Sequence, residues 1–209
     1  LLVAVCMMIT MLPLSAVTAF AADTATEQEA SYKGYKYTYR VDDGNATITK
    51  FLGPDDSANP VDSASTVSYD IEIPEKLGDI RVTGLGDYSF AVDADSDAGY
   101  PGNSLCRNIH SVTIPESVTS IGQSAFESCF SLYSLIIKDA ATSIGDSAFD
   151  GCSHLTTLSL GEKIKTIGDF AFQRCCNLTN VTIPQSVTSI GRYAFYLTDL
   201  NTLTIKGPI

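Results

Sequence analysis

The sequence predicts a repeat solenoid, mainly β with one short helical turn per 23-residue repeat and an N-terminal β-hairpin cap. Three observations predict it. The phrase VTIPESVTSIGQSAFESC at 112–129 returns as LIIKDAATSIGDSAFDGC at 135–152, LSLGEKIKTIGDFAFQRC at 158–175 and VTIPQSVTSIGRYAFYLT at 181–198. Four columns keep the step of 23 without a gap: Gly122, Gly145, Gly168 and Gly191; Phe126, Phe149, Phe172 and Phe195; Ala125, Ala148, Ala171 and Ala194; Cys106, Cys129, Cys152 and Cys175. Finally, one repeat carries Ile109, Val112, Ile114, Val118, Ile121, Ala125, Phe126 and Cys129, an apolar set that only stacked copies can bury.

The chain opens on residues 1–21, which carry no charge. LLVAVCMMITMLPL reads as the apolar core of a secretory signal peptide, and Ala19-Phe20-Ala21 supplies a small-x-small cleavage pattern. Thr10, Pro13, Ser15 and Thr18 weaken the competing reading, a membrane anchor. A first residue other than Met leads us to expect a fragment, and Ile209, just after a strand, leads us to expect that the natural chain continues. Residues 22–66 are read as a spacer and the capping hairpin. The spacer is Ala22 to Ser31, and the strands YKYTYRV and ATITKFL flank a turn at Asp42-Asp43-Gly44-Asn45. Tyr35, Tyr37 and Tyr39 alternate with polar residues and would cover an open solenoid end, the competing role being a sugar-stacking platform. The solenoid is assigned to 67–209. Its first repeat is irregular: Ile71, Ile73 and Pro74 match Val112, Ile114 and Pro115, while Phe90 and Phe126 stand 36 apart because of an acidic insertion at about 93–104.

Within a repeat, Val112 and Ile114 alternate as a strand with one inward face, and Pro115 ends it for want of an N–H. Gly122 is read as the place where the chain turns sharply without a Cβ. Ala125, Phe126 and Cys129 share one side of a helical turn.

IPESVTSIGQSAFESCFSL, from Ile114 to Leu132, resembles the IPxSVTSIGxxAFxxCxxL pattern of the BspA-like leucine-rich repeats of bacterial surface and secreted proteins. The resemblance covers about Val67 to Ile209, and the leading YKYTYRVDDGNATIT is similar to the segment that opens such arrays. It implies a leucine-rich-repeat solenoid and a recognition or adhesion role. Ile137-Lys138 and Leu160-Gly161 lack the Ile-Pro of the pattern, and Thr198 replaces a Cys.

A formal net charge of -11 and a pI near 4.4 argue against a nucleic-acid partner. The Cys column could suggest zinc, but a line of ligands does not close a tetrahedron, so buried free thiols are expected, with Cys176 pointing elsewhere as an exposed thiol. His110 and His154 occupy different columns and read as surface residues. Gly145 to Phe149 lacks the second Gly of a nucleophile elbow, and no cofactor motif is present, so the reading is not an enzyme. Asp93, Asp95 and Asp97 alternate like calcium ligands, but Gly99 comes late and Ser104 replaces the closing Glu; a solvated loop is the plainer reading.

What remains is a surface. If Val112 and Ile114 point inward, Ser111 and Thr113 point outward, and their columns continue as Ser134 and Ile136, Thr157 and Ser159, Asn180 and Thr182, Thr202 and Thr204. The leading expectation is a secreted or cell-surface adhesion module that binds an extracellular protein or glycan on this ribbon, with no stable membrane insertion after signal cleavage. The alternatives are an accessory repeat region of a larger secreted enzyme and a structural spacer of the cell envelope.

Overall fold

The structure, a computed structural model, describes residues 26–55, 68–91 and 104–208. The leader and the insertion bearing Asp93, Asp95 and Asp97 lie outside the described residues.

Three antiparallel strands come first, β1 (Gln28–Tyr32), β2 (Tyr35–Asp42) and β3 (Asn45–Pro54). Both connections are two-residue turns with positive φ at each central residue, Lys33-Gly34 (49° and 81°) and Asp43-Gly44 (47° and 76°). That geometry matches the twist of the strands it joins. The hairpin expected from 35 to 52 is therefore present, and β1 adds a third strand within the stretch read as a spacer. Tyr37 and Tyr39 are buried, and Thr38 joins them because the β2–β3 register shifts on either side of the pair Tyr37 and Thr38. Thr38 meets its hydrogen-bonding need with Thr49 at 2.9 Å.

The first coil contains β4 (Tyr69–Glu72), β5 (Lys76–Leu77) and β6 (Ile80–Leu85). A 3-10 helix, Ser104–Asn108, precedes the regular repeats, in which long and two-residue strands alternate: β7 (Ile109–Ile114), β8 (Ser120–Ile121), β9 (Ser134–Ile137), β10 (Ser143–Ile144), β11 (Thr157–Ser159), β12 (Thr166–Ile167), β13 (Asn180–Ile183), β14 (Ser189–Ile190) and β15 (Thr202–Ile205). Parallel pairing stacks β4, β7, β9 and β11 in one sheet and β13 with β15 in another. The short strands β8, β10, β12 and β14 stack in parallel on β6, and β6 pairs with β3. Cap and coils thus share one continuous sheet, β1-β2-β3-β6-β8-β10-β12-β14.

A third set of bonds runs where one helical turn per repeat is expected. Phe126 N–H donates to Ala148 C=O at 2.7 Å, Phe149 to Ala171 at 2.8 Å and Phe172 to Ala194 at 2.7 Å, each reaching the following coil. The segment is a pair of tight turns, with bonds such as Asp150 N–H to Ser147 C=O at 3.0 Å, and not a continuous helix. The turns need left-handed backbone at two recurring positions: Ser124, Ser147, Phe170 and Tyr193 (φ 51° to 58°), then Ser128, Gly151, Arg174 and Leu197 (φ 57° to 75°). Only Gly151 adopts it without steric cost.

The glycine column has a different cause from the one expected of it. Gly122, Gly145, Gly168 and Gly191 are absent from the positive-φ positions. A Cβ on Gly145 would lie 2.6 Å from the carbonyl carbon of Gly122, and one on Gly191 would lie 2.4 Å from the Asp169 nitrogen. These positions exclude side chains because adjacent coils touch through their backbones. Beside them, Asp87, Asp146 and Asp169 each accept the N–H of the next coil, at 2.8, 2.8 and 2.6 Å from Gln123, Asp169 and Arg192.

The eight apolar positions of the Ile109 to Cys129 repeat are all at most 2% exposed. Through the core runs one file of aromatic rings, Phe51, Phe90, Phe126, Phe149, Phe172 and Phe195, with centroids 5.3, 4.6, 5.2, 5.3 and 5.3 Å apart. Phe51 belongs to β3, so the cap supplies the first ring, and the file crosses the insertion without a break.

Candidate recognition surface

The sheet of β4, β7, β9 and β11 carries the predicted outward residues. Alternation along each strand buries Val112, Ile114, Leu135 and Ile137 and turns their neighbours out. Register then aligns them across strands as Ser111, Ser134 and Thr157 in one column and Thr113, Ile136 and Ser159 in the next. Ile136, Thr157 and Ser159 are exposed, while Ser111, Thr113 and Ser134 are half-buried. Asn180 and Thr182 are exposed on the separate β13–β15 sheet, paired with Thr202 and Thr204. The outward columns thus run from one paired sheet into a second.

The pairing of β4 with β7 extends both columns to residues that the sequence reading did not include. Asp70 aligns with Ser111 and Glu72 with Thr113. Ser111 Oγ donates to Asp70 Oδ1 at 2.5 Å. The Lys33 ammonium donates to Glu72, and this bond holds the Glu72 carboxyl below the usual carboxylate range. Glu72 also borders a cleft of about 580 Å³ between the cap and the strand ends, lined by Ser31, Tyr32, Lys76, Thr113 and Lys138.

A second feature lies along the edge of the first column. His110 and Tyr133, each one residue before an outward serine, stack with centroids 5.4 Å apart and planes 3° apart. Tyr133 is 46% exposed and Ile136 41%. The small Ser111 and Ser134 thus lie in a trough, with an aromatic ridge on one side and the Thr113–Ile136 ridge on the other. His154 is exposed in another column, its Nδ1 2.6 Å from the Phe130 carbonyl oxygen.

The cysteine column carries free thiols. Cys106, Cys129, Cys152 and Cys175 are fully buried and unbridged, and Cys176 is exposed. The thiols of Cys129, Cys152 and Cys175 donate to the carbonyls of Phe90, Phe126 and Phe149 at 3.2, 3.3 and 3.4 Å. Burial pushes all four buried thiols far above the ordinary thiol range, which keeps them neutral. Among the described residues no cluster of three His, Cys, Asp or Glu is placed to hold a metal ion. Among them, too, no helix is long and apolar enough to cross a membrane.

Comparison with known proteins completes the picture. The model of the BspA type leucine rich repeat region matches residues 103–209 in six copies, just over half of the chain. The chain belongs to the BspA-type leucine-rich-repeat family. The fold of this BspA-type chain is that of a leucine-rich repeat protein from T. pallidum, at 24% identity and a TM-score of 0.65, over 84% of this chain and 71% of that one. A leucine-rich repeat protein from Bacteroides ovatus aligns at 26% identity and a TM-score of 0.60, over 83% of this chain and 40% of its own. The pneumococcal vaccine antigen PcpA aligns at 21% identity and a TM-score of 0.50, over 86% and 50%. No curated protein matches the chain. BspA-type repeats of this kind are protein-interaction modules.

Proposed function

We propose that this chain is an exported, non-catalytic recognition or adhesion module, and that the β4-β7-β9-β11 face binds a host or neighbouring-cell macromolecule. One observation carries the reading. The outward side chains of four stacked strands form an accessible surface of hydroxyls bordered by Tyr133, Ile136 and Asp70, while the inward residues and the turns serve the stacking of coils. Solenoids bind extended partners on such sheets. The name of one structural relative, the pneumococcal vaccine antigen PcpA, agrees with exposure outside the cell.

A binding screen against immobilised matrix proteins and glycans tests the reading, with Thr157→Lys and Ser159→Lys as probes. Both positions are exposed, so the melting temperature should stay within a few degrees of the parent while binding is lost. Binding that survives both charges removes this face as the site. For export, N-terminal sequencing of secreted material should find a start near Ala22, and an intact Leu1 end in a membrane fraction would refute it.

A further inference from the structure

The trough beside the His110–Tyr133 ridge has a charge at one end and an apolar seat further along, and their separation is fixed by the sheet. Asp70 stands at the β4 end of the column; Ser111 follows on β7 and Ser134 on β9. Ser111 orients the Asp70 carboxylate through its hydroxyl, and the carboxylate keeps further lone pairs for a second donor. Its neighbour Glu72 is already engaged by Lys33. At Ser134 the floor is a single hydroxymethyl group, flanked by Tyr133 and Ile136. The Tyr133 ring is backed by His110, which reduces the freedom it would lose on binding.

Adjacent strands lie about 4.8 Å apart, so two steps from Asp70 to Ser134 span about 10 Å. A chain extended as a polyproline-II helix rises about 3.1 Å per residue with three residues per turn, so residues three apart share one face and stand about 9 Å apart. Building on the proposed recognition role, we infer that the trough takes an extended segment of a partner protein. The segment crosses the strands, presents a basic side chain to Asp70, and seats an apolar or aromatic side chain between Tyr133 and Ile136 three residues on. The formal net charge of -11 favours the approach of such a basic segment. A neutral glycan can donate a hydroxyl to Asp70 but gains no charge attraction from it.

The test is fluorescence anisotropy of the full chain with capped, labelled Ser/Thr-rich peptides carrying Lys-x-x-Phe, compared with forms that carry Lys-Phe adjacent or Glu-x-x-Phe. The spaced peptide should bind, with the other two at least about fivefold weaker. Asp70→Asn should weaken the spaced peptide about two- to fivefold and flatten its salt dependence. Ser134→Trp should fill the trough and abolish binding, with circular dichroism showing that both variants fold. No binding of the spaced peptide, equal binding of all three, or indifference to Asp70→Asn overturns the inference. If the trough fails while Ser159→Lys still abolishes binding to a matrix protein or glycan, the face stands and only its occupant is wrong; if neither responds, both readings fall.

Discussion

The Cys152 thiol donates to the carbonyl of Phe126, 3.3 Å away in the preceding coil. This contact joins the thiol column to the turns that carry the aromatic file, and it places the sulfur where ionisation is disfavoured by burial. The consequence is a dependence on alkaline pH. In the unfolded chain each thiol ionises above about pH 9, whereas in the folded chain it stays neutral. The unfolded state then binds fewer protons, so stability is intact below that pH and falls above it, by about 1.4 kcal/mol per pH unit for each thiol. Urea midpoints measured on either side of pH 9 should show the fall, and Cys152→Ala should reduce its slope by about a quarter, since four thiols share it. A slope unchanged by that substitution would contradict the account.

Reagent access separates the cysteines. Cys176 should react with a thiol reagent in the native protein, and Cys106, Cys129, Cys152 and Cys175 only after unfolding. If none of them reacts after denaturation, the column is a disulfide ladder.

Phe149 lies between Phe126 and Phe172 in the aromatic file, at 5.2 and 5.3 Å, and is fully buried. Phe149→Ala should cost about 3 to 5 kcal/mol in chemical denaturation. A change below about 1 kcal/mol would mean that the ring is not held by its neighbours.

Gly145 and Ser147, two residues apart, should respond in opposite ways. Gly145→Ala puts a methyl group 2.6 Å from the Gly122 carbonyl carbon and should destabilise the fold by about 1 to 3 kcal/mol or more. Ser147→Gly removes a side chain from left-handed backbone at φ 53° and should stabilise it by about 1 kcal/mol. Thermal melts of the two variants decide this pair of signs.

Arg174 grips the Asp150 carboxylate through Nε at 3.0 Å and Nη2 at 2.7 Å, and Asp150 is only 6% exposed. Arg174→Leu leaves that carboxylate without its fork of donors and should cost about 1 to 3 kcal/mol at neutral pH. The loss should shrink in acid, where Asp150 is protonated; a loss that is constant with pH would assign it to packing alone.

The fold was legible because its main devices repeat. Phenylalanine, alanine and cysteine columns recur at one spacing, and a residue type that recurs at one spacing must face its own copies. Two features were hidden for physical reasons. The left-handed positions are filled by Ser, Phe, Tyr, Arg and Leu with Gly151 as the one glycine among them, so no glycine column marked them, and the glycines that do recur answer to contact between coils instead of to φ. The acidic end of the recognition face escaped because Asp70 and Ser111 stand 41 residues apart, outside the regular step, although Ile71 and Val112 did align as expected. The aromatic ridge depends on His110 and Tyr133 just outside the alternating pattern, where strand periodicity gives no direction.

The donor turns of each coil lean on the acceptors of the next. Phe172 donates to Ala194 and Arg174 to Tyr196, while Leu203 and Ile205 of β15 remain 47% and 46% exposed beside their buried partners Val181 and Ile183. Removing the outermost coil would orphan the N–H groups of the one beneath it and uncover a fresh apolar rim. Loss of structure should therefore enter at whichever coil is outermost and travel as a front toward the cap, and amide exchange should slow step by step along the axis, with Tyr37 and Phe51 at its quiet end.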